Sequence, residues 1–316
     1  MAADGSKTIA TGTAPDGDED AIVGIIIAVR AVEKDTTLPE WYEDARRWAD
    51  ASASAFFTYN VDSTTYPEYA LVKLGSCWGG WDNAGNNPSY HSPGSYKIMR
   101  DYQSSFPAAD RVGYSGIAVS EWNSLISTSY QVLSACQCSG NAAMVPNWAT
   151  VGVTSGHIVN TGGTFSGSGT PQNEYGSEAA RTTFRVAMDA AFHPGNTSDW
   201  SGFLSPFLTR LRSGFSFASG LPYWADGSGT FPPGTIPGTN LQVTVFSSWI
   251  YNGFIYGPTL SALVSGTSDD ADMMAAAGDV LSANLPTSYY SRIWVLLANL
   301  MLSGAIEDAG KTLRGQ

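Results

Sequence analysis

The chain predicts one all-α domain spanning residues 1–316, and three observations carry that reading. Apolar residues recur three and four positions apart, and no alternating tract is long enough to set up a βαβ order. Two of the periodic runs open on acidic or proline-bearing first turns, which suit the N-terminal end of the helix dipole. Between the runs lie long loops rich in Gly, Ser, Asn and Pro, and no linker divides two compositions.

The first run, Asp18–Glu33, sets Ile22, Ile25, Ile26 and Val29 at helical spacing behind the acids Asp18, Glu19 and Asp20, which read as caps. The second, Pro39–Asn60, starts on a proline and repeats the pattern with Trp41, Ala45, Trp48, Ala49 and Phe56. Further helices are predicted at Pro93–Phe106, Ile117–Leu133, Glu174–Phe192, Ser201–Arg212, Val245–Leu263, Asp269–Ala283 and Ser288–Ser303. The intervening loops Gly75–Ser89, Val151–Asn173 and Pro222–Asn240 are long enough to suggest a function, and Trp78, Trp81, Tyr223 and Trp224 lie in them. Helices paired around a ligand end are the arrangement this pattern favours.

Composition removes several function classes. With 28 acids against 16 bases the net charge is −12, and there is no Lys/Arg run, so nucleic acid is not an expected partner. Hydrophobic residues make up 43% of the chain, against disorder, while the longest apolar runs, Ala21–Val29 and Ile293–Leu302, fall well short of the roughly 20 residues that cross a bilayer. No membrane partner is expected. Met1-Ala2-Ala3-Asp4-Gly5-Ser6 lacks the basic and apolar regions of a signal peptide. Three cysteines, Cys77, Cys136 and Cys138, without a C-x-x-C pair, indicate no zinc site; free thiols and a single bridge from Cys77 both stand.

Most catalytic patterns fail on inspection. Asp16-Gly17-Asp18-Glu19-Asp20 begins like a calcium loop, yet Ala21 and Ile27 occupy the positions that need glycine and a bidentate glutamate. There is no G-x-S-x-G elbow, no glycine-rich nucleotide loop, and His91, His157 and His193 have no metal-ligand spacing, so neither a metal nor a cofactor is expected. Chemistry falls to carboxylates. Hydrolysis of a glycosidic bond needs two carboxyl groups and aromatic faces for sugar rings, an inventory this chain has with 10 Trp, 15 Tyr and 13 Phe. Asp16 is read in a Pro-Asp-Gly turn ahead of the first helix, and Glu178 has Arg181 three residues on, on the same helix face, to hold it ionised.

At these residues the sequence resembles glycoside hydrolase family 8, the inverting endoglucanase, xylanase and chitosanase family. Ala14-Pro15-Asp16-Gly17-Asp18 before an apolar helix is similar to its signature. In the family's order follow Asn87-Pro88-Ser89-Tyr90, Val145-Pro146-Asn147-Trp148, Tyr175-Gly176-Ser177-Glu178-Ala179-Ala180-Arg181 with Phe184-Arg185, and the closing helix from Tyr289-Tyr290. The resemblance implies an (α/α)6 toroid and hydrolysis of internal β-1,4 bonds, with cellulose or another β-glucan as the expected substrate and xylan or chitosan as alternatives within the family. It implies that Asp16 binds and distorts the sugar, that Glu178 activates water in place of the usual aspartate, with Glu174 in reserve, and that Tyr90, Trp148 and Tyr175 contact sugar; Arg181 and the loop tryptophans Trp81 and Trp224 are further candidate substrate-binding residues.

The family's general acid belongs to a segment upstream of the signature, and here only fifteen residues precede Asp16, so a toroid incomplete or rearranged at its N-terminus is expected. Ser120-Glu121-Trp122 echoes the acid's segment but lies inside a predicted helix. Three readings follow: a secreted glycoside hydrolase, a degenerate protein that binds glycan without turnover, and a plain helical scaffold.

Overall fold

The computed structural model describes residues 12–83, 85–137, 144–162, 164–165, 170–171, 174–175, 177–213, 234–235, 242–243, 274–275, 278, 281 and 288–316. Within them the protein is all-α. The helices are α1 (Pro15–Val32), α2 (Tyr42–Asn60), α3 (Pro93–Ser105), α4 (Val119–Cys136), α5 (Ser177–Phe192), α6 (Thr197–Ser213), α7 (Tyr289–Leu302) and α8 (Ala305–Leu313). The predicted helices Val245–Leu263 and Asp269–Ala283 lie almost wholly outside the described residues.

The helices α1, α3, α5 and α8 touch one another in a ring, with α2 laid on α1 and α3, α4 on α3, and α6 on α4 and α5. Ile22, Val23, Ile26 and Val29 of α1 meet Phe56 and Phe57 of α2, Tyr96 and Met99 of α3, and Trp122 and Leu125 of α4 in one continuous core. No single helix among the described residues is long and apolar enough to cross a membrane.

At the centre is α5, buried from Ala179 to Phe192. A helix covered on all sides must find partners for its polar groups inside the protein. Arg181, Arg185 and Asp189, four residues apart, form that polar ladder, and Asp189 is met by the buried Lys97 of α3 at 2.7 Å. Gly94 lets α3 come this close: a Cβ at that position would stand 2.8 Å from the Asp189 Cα.

Four features differ from the sequence reading. Helix α1 begins at Pro15, so Asp16 sits in its first turn rather than in a turn ahead of it. Pro15 at the first position lacks the N–H that would go unpaired there, which extends the helix backwards. Glu19 is no cap: it lies with Ile22 and Ile26 on the core face and is fully buried. The loop Val151–Asn173 contains a hairpin, Val151–Thr154 paired with His157–Asn160, closed by Ser155 and Gly156 at φ 52° and 74°. Positive φ at both central residues is what a two-residue hairpin turn needs. Helix α8 follows Gly304, whose φ of 83° turns the chain into a new helix 70° from the last.

Candidate active site

Five separated segments meet at the N-terminal ends of α1 and α5. Arg181 is the hub. Its Nη1 donates to Asp16 Oδ2 at 2.8 Å and to Tyr290 Oη at 3.2 Å, its Nη2 donates to Glu178 Oε2, and the guanidinium lies 5.9 Å from the Tyr90 ring centroid. Only 5% of its side chain is exposed, against 17% for Asp16 and 28% for Glu178, so a buried cation presents two accessible carboxylates. Burial opposes the charge on Arg181, but Glu178, Tyr290 and Asp16 more than offset it and hold the guanidinium protonated.

The segment carrying Tyr90 is fixed from both sides. Asn87 caps the short 3-10 turn Pro88–Tyr90, its Oδ1 accepting from Ser89 N at 2.9 Å and Ser89 Oγ at 2.8 Å, while its Nδ2 donates to Glu178 Oε2 at 2.6 Å. Behind the turn, the His91 ring lies between Ser129 Oγ at 3.0 Å and Asn86 Oδ1 at 3.2 Å; burial lowers it to about 3, so it stays neutral. Asn86 and Ala149 exchange backbone hydrogen bonds, and Asn147 Oδ1 accepts from Ala179 N at 2.9 Å in the first turn of α5. The Tyr90 hydroxyl is pushed well up, by burial first and then by Asp16 and Glu178, and so remains a proton donor at neutral pH.

Beneath this surface Arg185 pairs with Asp20 and reaches the Asp16 carbonyl at 3.5 Å. The fully buried Glu19 carboxyl is contacted by Tyr96 Oη at 2.7 Å, and the same Oη lies 2.7 Å from the Tyr90 carbonyl. Burial drives Glu19 well above the usual carboxylate range, against the pull of Arg185.

Of the residues singled out from the sequence, Asp16, Tyr90, Glu178 and Arg181 are brought together. Trp148 is half-buried, one residue from the bridge to Asn86. Trp81 is elsewhere: it is 7% exposed, packed edge-on against Tyr66 and Tyr69, with its Nε1 donating to the Asp62 carbonyl, so its ring is core and offers no open face. Trp224 lies outside the described residues, and Glu174 and Tyr175 are described in backbone only. Glu121 accepts the Ala118 N–H at 2.9 Å and so caps α4. The sequence reading passed over Asn87, Asn147 and Tyr290. All three stood inside the recognised segments, where polar side chains ahead of or inside helix starts were the signal.

No family profile and no curated protein matches the chain. Solved structures do. A reducing-end-xylose releasing exo-oligoxylanase variant complexed with xylobiose matches at 18% identity and a TM-score of 0.56, over 96% of this chain and 69% of that one. The same enzyme complexed with xylose matches at 17% identity and 0.56, over the same 96% and 69%. At this identity the likeness speaks for architecture: the chain has the all-α toroid fold of these structures.

Proposed function

We propose that the chain hydrolyses β-1,4-linked polysaccharide by an inverting, two-carboxylate route, in the manner of glycoside hydrolase family 8. The observation that carries this reading is the convergence of Asp16, Tyr90, Glu178 and Tyr290, from four distant segments, on the single guanidinium of Arg181. A structural ion pair needs one acid; two accessible carboxylates on one buried cation, beside two tyrosines, suit a site that holds a sugar and activates water.

In this reading Glu178 accepts the proton of a water attacking the anomeric carbon, and Asp16 accepts a hydroxyl of the distorted ring. Arg181 fixes the two acceptors relative to each other, and Tyr90 donates toward them. The proton for the leaving oxygen comes from a further carboxylic acid, since both carboxylates at Arg181 act as acceptors. The substrate is a β-glucan such as cellulose or a xylan; xylan gains weight from the xylose and xylobiose complexes of the structural neighbours. A polymer substrate places the enzyme outside the cell.

A second reading, glycan binding without turnover, is favoured by one observation: among the described residues, no carboxyl group at Arg181 is left to donate a proton. Assays of cellulose, lichenan, xylan and chitosan with the native chain and with Glu178→Gln separate the two. Hydrolysis predicts reducing ends from at least one polymer and a loss of about 10²–10⁴-fold in Glu178→Gln. Binding alone predicts retention on a polymer by both proteins and no reducing ends from either.

A further inference from the structure

The two oxygens of Glu178 are not equivalent. Both of its described hydrogen bonds, from Asn87 Nδ2 at 2.6 Å and from Arg181 Nη2, end on Oε2. Amide orientation is ambiguous in many structures, but here the surroundings decide it. The Asn87 oxygen accepts from the backbone N–H of Ser89, a group that can only donate, and from the Ser89 hydroxyl. Flipping the amide would set an NH₂ against that N–H, so Nδ2 must face Glu178. Asn87 and Ser89 are each 1% exposed, which leaves the amide no alternative partner in water.

We propose that Asn87 is a positioning residue for Glu178: it saturates Oε2 together with Arg181 and leaves Oε1 as the atom that takes the proton from the attacking water. This rests on the reading of Glu178 as the base. Carboxylate oxygens differ in basicity when one is loaded with donors. With Oε2 held by two hydrogen bonds, the free lone pairs lie on Oε1, and rotation about the carboxyl bond is blocked because it would break both. The proton passes to Oε1 as the water oxygen bonds to the anomeric carbon and the glycosidic oxygen departs with a proton from the separate acid. Asn87 neither touches the water nor changes protonation.

Among the described residues, the charged and titratable groups facing Glu178 are Arg181 on its own helix, Asp16 on α1, Tyr90 on the 3-10 turn and Tyr290 on α7. Against that fixed background two substitutions act in graded fashion. Asn87→Ala removes one donor to the charged form. Asn87→Asp keeps the shape, removes the donor and adds a like charge beside the carboxylate, so it disturbs Glu178 more than the alanine variant does.

The test is the pH profile of kcat/KM, with kcat and KM measured separately on whichever polymer the native chain cleaves, for Asn87→Ala, Asn87→Asp and Ser89→Ala beside Glu178→Gln. Thermal melts establish that each variant is folded, and the near-isosteric Asn87→Asp guards against collapse of the alanine variant. The expected result is a fall in kcat of roughly 10–100-fold with KM within about twofold, as for loss of a transition-state interaction. The acidic limb should move upward in the order Ser89→Ala, Asn87→Ala, Asn87→Asp. If Glu178→Gln is inactive while the Asn87 variants keep the native acidic limb and kcat, the positioning role is overturned and the base assignment stands. If Glu178→Gln keeps native activity, or the native chain cleaves nothing, the base reading itself falls and takes this assignment with it.

Discussion

Arg181 carries more of the site than either carboxylate it holds. Its planar fork reaches Asp16 with one nitrogen and Glu178 with the other, a span that a lysine ammonium cannot bridge. Arg181→Lys should therefore keep a cation in place yet lower turnover by at least tenfold, while Arg181→Met, which leaves two partly exposed acids facing each other without a counter-charge, should cost about 1–3 kcal/mol in denaturant unfolding. A second residue makes a pH-dependent prediction. The Tyr96 hydroxyl has one hydrogen and two oxygens at 2.7 Å, Glu19 Oε1 and the Tyr90 carbonyl. All three are satisfied when Glu19 is a neutral acid that donates to Tyr96 while Tyr96 donates to Tyr90, in agreement with the upward push that burial gives Glu19. A carboxyl raised in the folded state contributes fully below its unfolded value of about 4.3, and that contribution is lost as pH rises toward and through the folded value, because only the unfolded chain releases the proton. Native protein should thus lose stability from acid toward alkaline pH more steeply than Glu19→Gln, measured as denaturant midpoints across pH. Nothing in the sequence but its spacing distinguished Glu19 from Asp18 and Asp20; the helical interval to Ile22 and Ile26 was the signal that it faces inward.

The helices α3 and α5 approach closely, which fixes the start of α5 where Glu178 and Arg181 stand. Gly94 sets that distance, and Gly94→Ala, whose Cβ would meet the Asp189 backbone at 2.8 Å, should force the helices apart at a cost of about 1–3 kcal/mol in a thermal or denaturant melt. Such a clash is backbone against side chain and has no flexible end to yield. Helix existence was legible at this scale: the starts of α2, α3, α5 and α7 fall within three residues of their expected positions, since 3.6-residue periodicity survives any tertiary context. Boundaries were less so where a single backbone feature decides them, as with Pro15, which begins α1 three residues early, and Gly304, which starts α8 instead of ending the chain's last helix. The hairpin at Val151–Asn160 escaped notice because four-residue strands are too short for alternation to register, and its turn residues, Ser155-Gly156, are common in any loop.

For the whole molecule, the sequence motifs singled out Asp16, Tyr90, Glu178 and Arg181, and the fold brings these residues, from segments far apart in sequence, to one place. Asp16 at the start of α1, Tyr90 on its 3-10 turn, Glu178 and Arg181 in the first turns of α5, and Tyr290 at the start of α7 are brought together because these helices present their N-terminal ends to one place. Their positive dipole ends add to Arg181 in favouring carboxylates there. The aromatic count was a weaker guide, since burial sorts rings by context: Trp81 and Trp122 went to the core, whereas Trp48 and Trp78 are about half exposed, at 49% and 50%. The most direct measurement of the proposed chemistry is proton NMR of the first sugar released from a soluble β-1,4-glucan or xylan by the native chain, run beside Glu178→Gln. An α-anomer appearing first, from the native chain alone, is the predicted result. A β-anomer first, or equal turnover by Glu178→Gln, contradicts the inverting role given to Glu178.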